Sequence, residues 1–348
     1  MPAKTIRIGS QRKFEGLTIG NNFQLQKELP SGGMGRIFKA YQISVGRDVC
    51  VKILREDLLT RQESKQWLNY FRNEVRFPRS HPNIVQVYDC GEWEGVHWIA
   101  MEWMSQGTVA DRIKARPYVT LDALKILLDV TKALERIADK RCFAHRDIKP
   151  SNIFISTDGA KLGDFGISKL MPKARHAQKG IAPVGSLPYM SPEQFKGQTD
   201  LRSDFYALGC TLFEMLSGKV AFPNCRTPDQ AYRAHLENSA PSLPPHLHCP
   251  SGVSQFYHQL VEKDPLRRPQ TYHEVRKTLS RLIRELRSAD KGLQSHSSDY
   301  ATSSTMLAHP SKRQTLEDSL RRDYPSTRFS IATSQEQFYT LIGDELVS

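Results

Sequence analysis

Between Phe23 and Met104 short stretches of alternating or β-branched apolar residues recur, and beyond Gly107 the spacing becomes that of a helix. Phe23-Gln24-Leu25-Gln26 and Arg36-Ile37-Phe38-Lys39-Ala40 alternate around a glycine-rich turn, and Asp48-Val49-Cys50-Val51-Lys52-Ile53-Leu54 is rich in β-branched residues. Residues 84–88 and 97–101 predict two further strands, with Gly91 and Gly95 in the turn between them; residues 62–77 carry helix formers and stop at Pro78. Further on, Leu121, Leu124, Leu127, Leu128, Ala133, Leu134 and Ile137 follow helical periodicity, and residues 203–216, 253–263 and 272–287 predict more helices. The expected fold is α+β and bilobal: a small antiparallel lobe of five strands with one helix, then a larger helical lobe.

The pattern also sets domain limits. Residues 1–22 predict a flexible basic leader, 23–286 a folded domain divided after residue 104, and 287–348 a Ser/Thr-rich, largely disordered tail. Within the tail, Phe338, Leu341, Ile342 and Leu346 allow a short amphipathic helix over 335–347 that can dock on the folded domain or on a regulatory partner. No apolar run approaches the ~18 residues that a membrane span needs. Lys4, Arg7, Arg12 and Lys13 precede no apolar stretch, so the start is not read as a secretory signal. Six cysteines without CxxC spacing suit reduced thiols in a cytoplasm. The net charge of +12 is dispersed rather than blocked, which disfavours direct nucleic-acid binding and favours a basic surface around a polyanionic nucleotide.

The chemistry concentrates in His145-Arg146-Asp147-Ile148-Lys149-Pro150-Ser151-Asn152, followed by Asp164-Phe165-Gly166. An acid, a base and an amide on one loop, with a second acid on the next, can hold a divalent cation and orient a hydroxyl for attack on a phosphoryl group. Upstream, Pro30-Ser31-Gly32-Gly33-Met34-Gly35-Arg36-Ile37 is a turn whose glycines let backbone amides approach phosphate. Lys52 ends an apolar strand and needs an anionic partner if its ammonium turns inward.

These motifs, in this order over roughly Phe23 to Leu286, resemble a eukaryotic-like protein serine/threonine kinase, and Gly32-Gly33-Met34-Gly35 is most similar to the bacterial branch. The resemblance implies transfer of the γ-phosphoryl of ATP to Ser/Thr hydroxyls of protein substrates, with Mg²⁺ or Mn²⁺. It makes Asp147 the acceptor of the hydroxyl proton, Lys149 the cation on the transferring group, and Asn152 and Asp164 the metal ligands. Lys52 pairs with the phosphates and with Glu74, chosen because Glu63 lies nearly three turns earlier. Gly32, Gly33, Gly35, Ile37, Cys50, Met101, Glu102, Met104 and Phe154 would surround the nucleotide, Cys50 above the base and Phe154 below it. Ser186 would face the peptide, while Arg146, Glu193, Asp204 and Arg268 hold the loops. Pro30 departs from the family pattern by replacing the first glycine, and it stiffens the lip of that turn.

The activation segment suggests one regulatory expectation. Between Gly166 and Gly185, Ser168 is the sole hydroxyl, so Arg146 finds no phosphothreonine there and activity is expected without phosphorylation of this segment. The Ser/Thr-rich tail is the expected place for autophosphorylation, with Thr315 one candidate. The competing functional class is a pseudokinase-like nucleotide-binding scaffold, in which Pro30, Cys50 and the short stretch from Glu74 to His81 impair turnover.

Overall fold

The computed structural model describes residues 13–30, 35–54, 81–141, 144–164, 184–247 and 249–304. The N-terminal lobe is one antiparallel sheet in the order β1-β2-β3-β4-β6-β5: β1 (Thr18–Ile19), β2 (Phe23–Leu29), β3 (Gly35–Gln42), β4 (Arg47–Leu54), β5 (Val87–Trp93) and β6 (Val96–Glu102). Six strands replace the five expected, because part of the presumed leader is folded. Phe14 and Ile19 are each 1% exposed, and Gly16 and Leu17 exchange backbone hydrogen bonds of 2.8 Å with Leu25. A two-residue strand flanked by glycines shows no alternation to detect, yet it covers the free edge of β2. Phe14 also stacks on the Arg36 guanidinium at 4.8 Å, and Arg36 pairs with Glu28, so this segment braces the base of the glycine turn.

The β5–β6 hairpin corrects a second expectation. Its turn is Glu94-Gly95, with φ of 48° and 81°, and Gly91 lies inside β5. Gly91 is there for room: a Cβ on it would lie 2.7 Å from the Trp98 indole, and one on Gly20 would lie 2.5 Å away. The strand also begins at Val87 rather than residue 84, while Ile84 makes an isolated bridge to Leu162.

The second lobe is built on α1 (Val109–Ala115), α2 (Thr120–Arg141), the hairpin β7 (Ile153–Ser156) and β8 (Gly159–Leu162), α3 (Pro192–Phe195), α4 (Leu201–Ser217), α5 (Pro228–Glu237), α6 (Ser251–Leu260) and α7 (Tyr272–Ser304). Capping boxes start α1 at Thr108/Asp111 and α5 at Thr227/Gln230. α4 is the axis of this lobe, buried from Ser203 through Phe213 and again at Met215 and Leu216. α2 and α6 pack against it, and Val275, Leu279, Leu282 and Ile283 bury one face of the early turns of α7. A helix buried on nearly all sides is apolar along most of its length, and the buried polar residues Ser203, Asp204 and Tyr206 of α4 each have a hydrogen-bond partner.

The chain divides into two compact units, Met1–Glu285 and Leu286–Ser348. α7 runs on to Ser304, past the residue where the tail was expected to begin, since this stretch has no proline to stop it. The expected helices at 62–77 and 335–347 lie outside the described residues. Among the described residues, no helix is long and apolar enough to cross a membrane.

Candidate active site

The loop 144–152 has no regular hydrogen-bond ladder of its own, so its backbone must find partners elsewhere. Asp204, in the first turn of α4 and fully buried, supplies them: its carboxylate accepts from the backbone N–H of His145 at 2.7 Å and of Arg146 at 2.8 Å. The Tyr272 hydroxyl donates to the same carboxylate at 3.1 Å. Arg146 is thereby held at φ 69°, a left-handed conformation that costs a non-glycine residue about 1 kcal/mol or more. The buried His145 ring contacts the Gly163 carbonyl through Nε2 at 3.2 Å, tying this loop to the one that carries Asp164. Asp164 also has positive φ, 59°, so both functional loops store strain that the surrounding bonds maintain.

Asp147 is the centre of the first loop. Lys149 Nζ donates to its carboxylate oxygens at 3.1 and 3.0 Å and to Ser186 Oγ at 2.6 Å. Asn152 Nδ2 donates to the Asp147 carbonyl at 2.8 Å and to its carboxylate at 2.9 Å. The carboxylate is therefore aimed, with the Lys149 ammonium between it and the Ser186 hydroxyl of the loop 184–189. With the amide nitrogen used on Asp147, the oxygen of Asn152 is the end that can accept or ligate.

Asp164 meets Lys52, which lies on β4 opposite Ile37 of β3 and Ile99 of β6. The ammonium is 7% exposed and pairs with the Asp164 carboxylate, joining sheet lobe to helical lobe. Burial alone would raise the Asp164 pKa; the Lys52 charge and hydrogen bond outweigh it, helped by Lys149 and His145, and hold the carboxyl below its usual range. Gly163 N–H donates to the Asn152 carbonyl at 2.9 Å, so the backbones that carry Asn152 and Asp164 are bonded together. One ionised carboxylate and one amide oxygen are hard ligands but too few for a closed cage. That set fits Mg²⁺ or Mn²⁺, which keeps water and substrate phosphate as its other ligands. Among the described residues no group of three or more His, Cys, Asp or Glu forms a metal cluster.

β4 carries Cys50 and β7 carries Phe154. Cys50 stands opposite Met101 in the β4–β6 register, and desolvation pushes its thiol up to about 12, leaving it a neutral side chain. Phe154 lies against Gly163, where a Cβ would come within 2.6 Å of the ring. Glu102 N–H donates to the Gln86 carbonyl at 2.8 Å, and its carboxylate pairs with Lys161 at 2.6 Å; the Met104 carbonyl accepts from Gly107 at 3.2 Å. Gly35 opens β3 with no space for a side chain, since a Cβ would lie 2.5 Å from the Ile53 carbonyl oxygen. Gly32, Gly33, Glu74 and Phe165 lie outside the described residues, as does the segment 165–183 with Ser168.

Residues 23–279 match the protein kinase domain family. The chain belongs to that family. A probable serine/threonine-protein kinase of Clostridium perfringens is 36% identical over 270 residues, covering 75% of this chain and 38% of the relative. The serine/threonine-protein kinase PrkC of Bacillus subtilis is 33% identical over 266 residues, covering 75% and 40%. The chain thus spans about two fifths of the length of these relatives. In fold it is similar to the PknI kinase domain of Mycobacterium tuberculosis, with TM-score 0.59 at 21% identity over 77% of this chain and 98% of that one. Rad53 in complex with AMP-PNP gives TM-score 0.62 at 22% identity over 75% of this chain and 65% of that one.

The rest of the kinase domain shows what holds the site in place. Arg268 donates to both carboxylate oxygens of Glu193, at 2.7 and 2.9 Å, and the Ser203 hydroxyl adds a third bond at 2.7 Å. Burial raises the Glu193 pKa and these donors more than reverse it. Sequence reasoning missed Ser203, Tyr272, the Tyr189–Glu214 pair and the Tyr206–His235 pair. Each is a polar residue on an otherwise apolar helix face or loop, and that mismatch was the available signal.

Proposed function

We propose that this chain is an ATP-dependent protein serine/threonine kinase. The observation that carries the reading is the Lys149 ammonium, shared between the Asp147 carboxylate and Ser186 Oγ beside the Lys52–Asp164 pair. Asp147 accepts the proton of a substrate Ser or Thr hydroxyl as its oxygen bonds to the γ-phosphorus. The bond from that phosphorus to the β,γ-bridging oxygen breaks, and ADP leaves with the electron pair. Lys149 neutralises charge on the equatorial oxygens in flight, and Lys52 orients the α- and β-phosphates. Asn152 and Asp164 would hold Mg²⁺ or Mn²⁺, which supplies charge neutralisation on the β- and γ-phosphates. Cys50 and Phe154 enclose the base from above and below, Ile37 covers it, and the Met101–Met104 strand end offers backbone groups. Glu74 completes the Lys52 contact, and Gly32, Gly33 and Gly35 admit the phosphates.

Protein substrates, a tail partner, autophosphorylation of the Ser/Thr-rich tail and a cytoplasmic location belong to the same proposal. Cys50, Cys90, Cys210, Cys225 and Cys249 are unpaired thiols, which supports the reducing compartment. Transfer of radiolabelled γ-phosphate to a generic protein acceptor tests the reading. Wild type should label it, and Asp147→Asn and Lys52→Met should each lower the rate by about 10²–10⁴. Nucleotide binding without transfer by the wild-type chain would leave the scaffold alternative instead. Mass spectrometry should find full activity without phosphate on Ser168; loss of turnover on removing a phosphate there would overturn that part.

A further inference from the structure

His235 projects from α5 into the core and is fully buried, a place where an imidazole must satisfy both ring nitrogens. Nε2 lies 2.9 Å from the Leu187 carbonyl oxygen and Nδ1 lies 2.8 Å from the Tyr206 hydroxyl. A carbonyl can only accept, so Nε2 carries the hydrogen. Desolvation holds the ring neutral, with a pKa near about 3, so Nδ1 is an acceptor and Tyr206 donates to it. The ring is boxed by Phe222 at 4.3 Å and Phe195 at 6.0 Å between centroids. Lys263 Nζ faces the same cluster, donating to the His235 carbonyl at 2.7 Å, and Arg268 stacks over Tyr206 at 4.9 Å. Two cations on that side disfavour a third charge on the imidazole.

The acceptor of this bond is what makes it more than core packing. Leu187 sits in the short turn Val184–Tyr189, directly after Ser186, whose hydroxyl takes the Lys149 hydrogen bond. The other backbone bond to the Leu187 carbonyl, from Met190, is long at 3.4 Å. One peptide unit therefore separates the atom His235 grips from the group that meets the catalytic lysine. A displacement of about 1 Å at such a point can cost on the order of 10²-fold in rate.

We propose that His235 is a positioning residue for the acceptor side of the reaction: its Nε2–H clamps the Leu187 carbonyl and so sets Ser186 against Lys149 and Asp147. Tyr206 is its orienting partner. The proposal rests on the kinase reading of the site, and it predicts a defect confined to the protein acceptor, since among the described residues the two ring bonds of His235 lead to Leu187 and Tyr206 and to neither Lys52 nor Asp164.

The test compares His235→Asn with His235→Gln in the full chain. Glutamine places an amide N–H near the Nε2 position, whereas asparagine reaches only as far as Nδ1. The asparagine protein should lose about tenfold or more in kcat/KM for a protein acceptor with KM for ATP within about twofold of wild type. The glutamine protein should stay within about threefold of wild type. Amide hydrogen exchange over 186–190 should rise in the asparagine protein alone. If the asparagine protein does not fold, Tyr206→Phe, which keeps the ring and removes the orienting hydroxyl, is read in its place against the same criteria. Equal behaviour of the two amide variants overturns the proposal, as does an ATP defect that keeps pace with the acceptor defect. If the wild-type chain transfers no phosphate, the kinase reading fails. The exchange measurement, with ¹⁵N imidazole shifts of the wild type reporting the Nε2–H tautomer, then still decides whether His235 clamps the loop.

Discussion

Two ion pairs span this kinase domain, and they are built in opposite ways. Arg268 spends all its N–H groups: two on Glu193, and the others on the carbonyls of Arg202, Glu262 and Lys263. Its side chain is 0% exposed, and Ser203 takes up a further lone pair of Glu193. Lys52 has Asp164 as its described partner, and the Asp164 side chain is 32% exposed to the cleft. A saturated buried pair has no alternative arrangement of comparable energy, so it serves as an anchor. A sparsely bonded pair at the rim can exchange partners when phosphate and metal arrive, so it serves as a reacting element. The difference lies in how many hydrogen bonds back each charge, not in the charges themselves.

The comparison breaks most visibly at the rim pair. Asp164→Asn should lower phosphoryl transfer by roughly 10³-fold while leaving the denaturation midpoint near that of wild type. A large loss of stability in that variant would mean that the rim pair is an anchor too. Arg268→Ala is the converse: it should cost about 3–5 kcal/mol of stability by leaving the Glu193 carboxylate buried and uncompensated. Urea denaturation checks this, and a cost under about 1 kcal/mol would place Arg268 with ordinary surface pairs.

pH sharpens the contrast. Glu193 has a native pKa below its ordinary 4.5, so only the unfolded chain takes up that proton as acid is added. Its stabilisation is full above about 4.5 and is lost as pH falls through the lower native value. His235 acts over a higher window. Between 6.5 and about 3 the unfolded imidazole binds a proton that the native one refuses. Stability should therefore fall by about 1.4 kcal/mol per unit as pH drops through that window, and His235→Gln should flatten the slope. Urea denaturation series between pH 4 and 7 would show it. The smallest effect belongs to Tyr272→Phe, which removes one of the hydrogen bonds to Asp204. About 1 kcal/mol of stability should go, with turnover nearly unchanged because the Asp204 bonds to His145 and Arg146 remain.

Much of this was legible in the chain itself. Alternation located β2, β3, β4 and β6, since a half-buried strand repeats every two residues. The loop 145–152 announced its chemistry because acid, base and amide must be close in sequence to share one turn. Gly91 misled for the opposite reason: glycine usually marks a turn, and here it makes room for Trp98, seven residues on and across the hairpin. β1 was invisible because two residues carry no period. His235 lies in a stretch where no helix was expected, and its role depends on Leu187, 48 positions away.

By itself, then, the sequence determined the two-lobed layout, the glycine turn and the contents of the catalytic loop, all governed by local periodicity and short-range backbone geometry. Tertiary structure decided how many hydrogen bonds back each charge. Lys52 and Asp164 are 112 positions apart, and Glu193 and Arg268 are 75 apart. Folding removes them from water and gives each a different number of hydrogen-bond partners, which makes one an anchor and leaves the other open to the reaction.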